Sequence, residues 1–130
     1  MPSFGAASTA QLRTCHSELQ RLFTEVVKHW DCQVLEGKRT EAQQRINVAK
    51  GVSKTMQSKH VYPLGAPSLA VDVAPYPVKW NDTDRFYAFA GFVIGTATQM
   101  GMTLRWGGDW DGNRVFTDQT FHDLPHFELT

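Results

Sequence analysis

The chain has 130 residues, 42% hydrophobic and 12% aromatic, which is the size of one domain and enough apolar material for one buried core. Thirteen basic residues balance thirteen acidic ones, so the basic footprint on which nucleic-acid and anionic-membrane binders rely is missing. Cys15 and Cys32 form no CxxC pair and read as reduced thiols, the start MPSFGAASTA has neither a positively charged start nor an apolar run of signal-peptide length and is expected to carry no export address, and no segment approaches the roughly 18 apolar residues of a membrane span.

Ser8 and Gln11 form a capping-box pattern, after which Leu12, Cys15, Leu19, Leu22, Phe23, Val26 and Trp30 recur at helical spacing, so residues 9 to 30 are expected to form one amphipathic helix. His16 and His29 lie on or beside it without a second ligand one turn away, and read as surface or boundary histidines. A short apolar strand, Cys32 to Leu35, leads to Gly37, and Thr40 caps a short polar helix that ends before Gly51.

Pro63, Gly65 and Pro67 exclude regular structure between Val61 and Leu69, whereas Leu69 to Ala74 reads as a buried strand stopped by Pro75 and Pro77. Asn81 or Asp82 caps a further helix, in which Phe86, Phe89, Ala90, Val93, Ala97 and Met100 share a core face closed by Gly101. Thr103 to Trp106, the turn-rich GGDWDGN and His126 to Leu129 complete the chain as strands and loops. Helices and short strands mix without a repeat, which predicts an α+β fold over residues 1–130 as a single domain.

A hydrolytic zinc site needs three protein ligands, usually His and a carboxylate, with one position open to water. His60 precedes the proline-rich loop, Asp72 sits on a strand too apolar for an unpaired carboxylate, and His126 lies in HDLPHFELT beside a second acid, Asp123. On the residues alone, a surface histidine and a turn-forming aspartate remain open readings.

SKHVYPLGAPSLAVDVA together with DLPHFEL resembles the paired metal motifs of the zinc D-alanyl-D-alanine carboxypeptidase and phage L-alanyl-D-glutamate peptidase family, over most of the chain. The resemblance implies a hedgehog/DD-peptidase-like zinc fold, a small antiparallel sheet packed with about three helices. It implies zinc on His60, Asp72 and His126, with Asp123 as the catalytic acid. EGKRT resembles the family's E-G-x-R-T segment and implies that Arg39 reaches the active site, where its planar fork suits an oxyanion or carboxylate. Gln57 and Ser58 are expected to orient substrate, and WGGDW to form a loop shaping the cleft. Asp109 within it reads as a turn former or an outer partner of a ligand histidine. His60 and Asp72 lie twelve apart where the family spacing is usually seven, so five residues must loop out, and Ser68 stands where the family has glycine.

Within the family, these motifs most resemble phage endolysins cutting between L-alanine and D-glutamate in peptidoglycan. A D-alanyl-D-alanine carboxypeptidase is the alternative enzyme, and a non-catalytic zinc-fold binding module the alternative of another class. The expectation is a monomeric peptidoglycan hydrolase without a separate cell-wall-binding domain, with neither nucleic-acid binding nor membrane insertion. It is expected to stay in the host cytoplasm until a separate pore releases it to the wall.

Overall fold

A computed structural model describes residues 1–53, 55–119 and 121–130. In chain order the elements are α1 (Ala6–Leu12), α2 (Ser17–His29), β1 (Cys32–Glu36), α3 (Glu41–Ala49), β2 (Ala70–Pro75), α4 (Thr83–Gln99), β3 (Leu104–Trp106) and β4 (His126–Leu129). The strands form one antiparallel sheet of order β1-β2-β4-β3. The α+β class thus holds, with four helices where the resemblance implied about three.

The difference arises at the N-terminus, where the helix expected over residues 9 to 30 is two. Between α1 and α2 the chain leaves the helical path and spends its backbone groups on distant partners. The Thr14 carbonyl accepts from the Ser68 N–H at 2.9 Å, and the His16 N–H donates to the Ser68 carbonyl at 2.8 Å. The Thr14 hydroxyl oxygen also accepts from the Lys38 N–H at 2.8 Å. His16 becomes the N-cap of α2, its Nδ1 accepting from the Glu18 N–H at 3.0 Å. A side chain that stands in for a missing intrahelical partner lets a helix restart within a few residues.

The other caps follow the sequence reading. Thr40 accepts from the Gln43 N–H at the start of α3, Asp82 accepts from the Arg85 N–H at the start of α4, and Gly101 takes a φ of 77° just beyond its end.

One face of the sheet carries the core. Val71 and Val73 of β2 and Phe127 of β4 are fully buried, together with Leu19, Leu22, Phe23 and Val26 of α2 and Phe89 and Val93 of α4. The Phe127 ring meets those of Phe23 and Phe89 edge-on at 5.7 and 6.3 Å, the arrangement favoured by aromatic quadrupoles. Side chains alternate along a strand, so Asp72 must lie on the opposite face from Val71 and Val73, and His126 and Glu128 on the opposite face from Phe127. The functional site is built on that second face. No helix among the described residues is long and apolar enough to cross a membrane.

Candidate metal centre

Antiparallel pairing sets Asp72 directly across from His126. Residues opposite each other on one sheet face have neighbouring side chains, and the His126 Nδ1 lies 3.4 Å from Asp72 Oδ1. His60 comes from the turn before the proline-rich loop, and its Nε2 lies 3.1 Å from the same oxygen. One ligand atom from each of His60, Asp72 and His126 falls within 4.8 Å of the others. Four bonds of zinc length directed tetrahedrally place neighbouring donors about 3.3 Å apart, which is close to the two distances observed.

The outer partners decide which nitrogen faces inward. The His60 Nδ1 lies 2.8 Å from the Gly37 carbonyl, a group that can only accept, so Nδ1 carries a proton and Nε2 is the nitrogen turned toward Asp72 and the centre. The His126 Nε2 likewise donates to Glu128 Oε1 at 2.8 Å, leaving Nδ1 for the centre. Both histidines and Glu128 are buried. Two imidazole nitrogens and a carboxylate oxygen converging in a buried place leave an uncompensated demand for positive charge, which a divalent cation meets. The donor set therefore fits a metal ion.

The titration behaviour shows the same demand. Burial opposes charge on His126, but hydrogen bonds to Asp72 and Glu128 outweigh it and raise the pKa to about 9. Asp72 is also penalised by burial, yet hydrogen bonds from His126 and His60 hold it well below the usual carboxylate range. Asp123 moves the other way: burial, reinforced by the charge of Asp72, raises its pKa against the pull of His126, His60 and Arg39. Its Oδ2 stands 3.9 Å from His126 Nδ1, beside the ligand group and outside it. A carboxyl group with a raised pKa next to such a centre is suited to carrying a proton.

The loop expected to shape the cleft also fixes Asp123. Gly107 donates to the His126 carbonyl and accepts from the Asp123 N–H, both at 2.8 Å, and a Cβ at Gly107 would collide with the Asp123 carbonyl. Trp106 Nε1 donates to the Leu124 carbonyl at 2.7 Å and Trp110 Nε1 to the Phe121 carbonyl at 2.8 Å, while the Trp110 ring packs 5.2 Å from that of His126. Asp109 folds back on its own loop, Oδ2 accepting from the Arg114 N–H at 2.8 Å. Of its two readings the structure supports the turn former; the outer partners of the histidines are Gly37 and Glu128.

A cleft of about 350 Å³ opens over the centre, lined among others by Arg39, Gln57, Ser58, His60, Asp123 and His126. Arg39 is committed before any substrate arrives: Nε and Nη2 donate to the Glu36 carboxylate and Nη1 to Gln44 Oε1. Three of its five N–H groups are used, and the fork is held rigid at the cleft wall. Ser58 Oγ accepts from the His60 N–H at 3.1 Å and so shapes the turn that presents this ligand, whereas Gln57 is exposed. His122 is exposed and outside the ligand group.

Two residues missing from the sequence reading matter here. Glu128 stands two positions after His126, the strand spacing that puts both on one face, and this was the signal that could have found it. Gln44 is fully buried in a largely polar helix and ties Arg39 to the Thr55 carbonyl.

Two buried histidines and a half-buried aspartate in an open cleft, with a carboxyl of raised pKa beside them, form a group that could hold one metal ion with a position open to water. The chain belongs to the phage L-alanyl-D-glutamate peptidase family, whose model matches residues 2–130. It is 31% identical over 137 residues to the L-alanyl-D-glutamate peptidase of Escherichia phage T5, an alignment covering 97% of this chain and 96% of that one. The crystal structure of Serratia marcescens L-Ala D-Glu endopeptidase ChiX superposes with a TM-score of 0.76 at 32% identity, covering 98% of this chain and 89% of that one.

Proposed function

We propose that the chain is a metal-dependent peptidoglycan hydrolase that cuts the amide between L-alanine and D-glutamate, with zinc held by His60, Asp72 and His126. The reading is carried by one observation: two imidazole nitrogens and a carboxylate oxygen converge at the floor of an open cleft, beside the raised-pKa carboxyl of Asp123. Two nitrogens and one oxygen suit zinc better than magnesium or calcium, which prefer all-oxygen shells. When bound, the ion supplies Lewis acidity toward the scissile carbonyl and lowers the pKa of a water to about 7.

The chain's own residues supply the rest. Asp123 takes the proton of the attacking water and returns it to the departing amine, the exchange for which a carboxyl of raised pKa is suited. Arg39, anchored by Glu36 and Gln44, turns its remaining N–H groups to the charge that builds on the scissile carbonyl oxygen. Gln57 and Ser58 at the cleft wall orient the stem peptide. The names of the family and of both relatives favour this internal bond over terminal D-alanine, and the presence of Asp123 beside the centre favours an enzyme over a binding module. The same reading has the chain wait in the host cytoplasm until a separate pore admits it to the wall.

Purified protein added to outer-membrane-permeabilised bacteria should clear the suspension, and a chelator should stop it. Mass spectrometry of the digest should show new peptides beginning with D-glutamate. Release of free D-alanine alone would refute the assigned bond, and unchanged turbidity would refute the activity.

A further inference from the structure

Any cleft that cuts before D-glutamate faces a constraint set by the substrate's covalent structure. Glutamate has two carboxyl groups, and a continuing peptide uses only one of them. The other stays free, or is capped as an amide, within a few bonds of the departing nitrogen. A free carboxylate entering a partly desolvated cleft needs a cation or an array of donors.

Among the described residues, the Lys and Arg side chains that line the cleft are Arg39, Lys59 and Arg105. Arg39 is bound to Glu36 and Gln44 and lies on the Asp123 side, where its charge acts on Asp72 and Asp123. Lys59 and Arg105 gather instead at Glu128. Arg105 pairs with Glu128 across the β3–β4 ladder, so their side chains share the sheet face that also carries His126. The Lys59 ammonium donates to the Leu129 carbonyl at 2.6 Å and lies 3.3 Å from Glu128 Oε2. Arg105 Nη1 reaches only to 3.8 Å from that same oxygen, beyond hydrogen-bond range, and 44% of its side chain is exposed.

The charges on this wall do not cancel. Glu128 is one carboxylate, and its Oε1 is already taken by the ligand histidine. Two cations meet its remaining oxygen, which leaves one positive charge in excess on the cleft side of the His126 partner. Lys59 is tethered, whereas Arg105 keeps a planar fork with free donor capacity, the group best shaped for a carboxylate.

We propose that Arg105, backed by Lys59, is the subsite for the free carboxylate of the D-glutamyl residue on the departing side of the bond. This assignment rests on the activity proposed above. Through it, the excess positive charge beside Glu128 sets which peptidoglycans are cut well: those with a free glutamate carboxylate over those in which that group is amidated.

The test uses the full chain loaded with zinc and two synthetic peptides. Both are N-acetyl-L-alanyl-D-glutamyl-L-lysine joined through one glutamate carboxyl, with the other left free in the first and converted to the amide in the second. The parent should favour the free acid by about tenfold in kcat/KM, the size of one charge-assisted hydrogen bond in a half-open site. Arg105→Gln should bring that ratio close to one, chiefly by raising KM for the acid. Lys59→Gln should lower the ratio in the same direction by a smaller factor. A parent ratio near one, or a ratio unmoved by Arg105→Gln, overturns the subsite while leaving the activity intact. A parent that cuts neither peptide and releases nothing from peptidoglycan overturns the activity and the subsite together.

Discussion

Loading the metal-free chain with zinc at pH 7 should displace about one proton per ion, and that proton should come from His126. Its pKa lies near 9 in the absence of an ion because Asp72 and Glu128 both accept from its ring, overcoming burial. Nδ1 must give up its proton before it can bind a metal. At two pH units below the pKa, this competition weakens binding about 100-fold, or about 2.7 kcal/mol, relative to the plateau above pH 9. The affinity should therefore rise about tenfold per pH unit from 7 and flatten near 9. Calorimetric titration in buffers of different ionisation enthalpy counts the protons directly. The same group makes the metal-free fold pH-sensitive. A pKa raised from 6.5 to about 9 contributes stability that is present in full below 6.5 and lost as the pH climbs through 9, on the order of 3 kcal/mol. The loaded chain, with no proton on Nδ1 to lose, should lack this loss. Zero protons released at pH 7, with affinity independent of pH, would refute the geometry argued for His126.

His60→Ala and His126→Ala should each abolish stable metal binding as well as activity, because two remaining ligands cannot hold a catalytic ion; metal analysis after dialysis checks this. Asp123→Asn should retain the ion and the fold while the lysis rate falls by about 10² to 10⁴, the usual contribution of general acid-base help. If it instead loses the ion, Asp123 is a ligand. Glu128→Leu should weaken metal binding measured above pH 9 by about 10- to 100-fold, since the His126 Nε2 proton would lose its acceptor. Gly107→Ala should cut activity with little loss of metal, because the added methyl group displaces the Asp123 carbonyl while His126 stays on its strand.

Of the three residues expected to hold metal, only one carries a local signal, and the motif resemblance brings in the others. Asp72 interrupts an apolar strand, and the two histidines stand next to it only in the context of the matched motifs. The helix boundary was hidden for a physical reason. Leu12, Cys15 and Leu19 continue an apolar spacing across the break, and what ends α1 is a set of hydrogen bonds, from the backbone to Ser68 and from the Lys38 N–H to the Thr14 hydroxyl, with partners more than twenty residues away. Periodicity reports only local structure. Gly37 was legible as a breaker, but not as the acceptor that fixes the His60 tautomer, since its partner is 23 residues away in sequence. Asp109 drew attention as an acid near the motifs, whereas Glu128, masked inside an apolar strand pattern, does the work of orienting His126.

The five extra residues between His60 and Asp72 show why a departure in spacing leaves the ligand geometry intact. Strand pairing with His126 sets the position of Asp72, and that register does not depend on how the chain arrives. His60 is fixed independently, by its Nδ1 bond to Gly37 and by its carbonyl, which accepts from the Arg39 N–H at 2.8 Å. The intervening loop is then tied down elsewhere. The Lys38 ammonium donates to the carbonyls of Val61 and Pro63, the Tyr62 hydroxyl to Glu41, and the Ser68 backbone is shared with Thr14 and His16. Ser68 can replace the family glycine because its hydroxyl turns back onto its own chain, donating to the Ala70 carbonyl. Loop length costs little when both ends are held by other contacts. The segment Gly37 to Arg39 therefore locates one ligand and the cleft arginine together, and the break between α1 and α2 exists to receive it: a Cβ at Gly37 would strike the Gln11 carbonyl and the Thr14 hydroxyl.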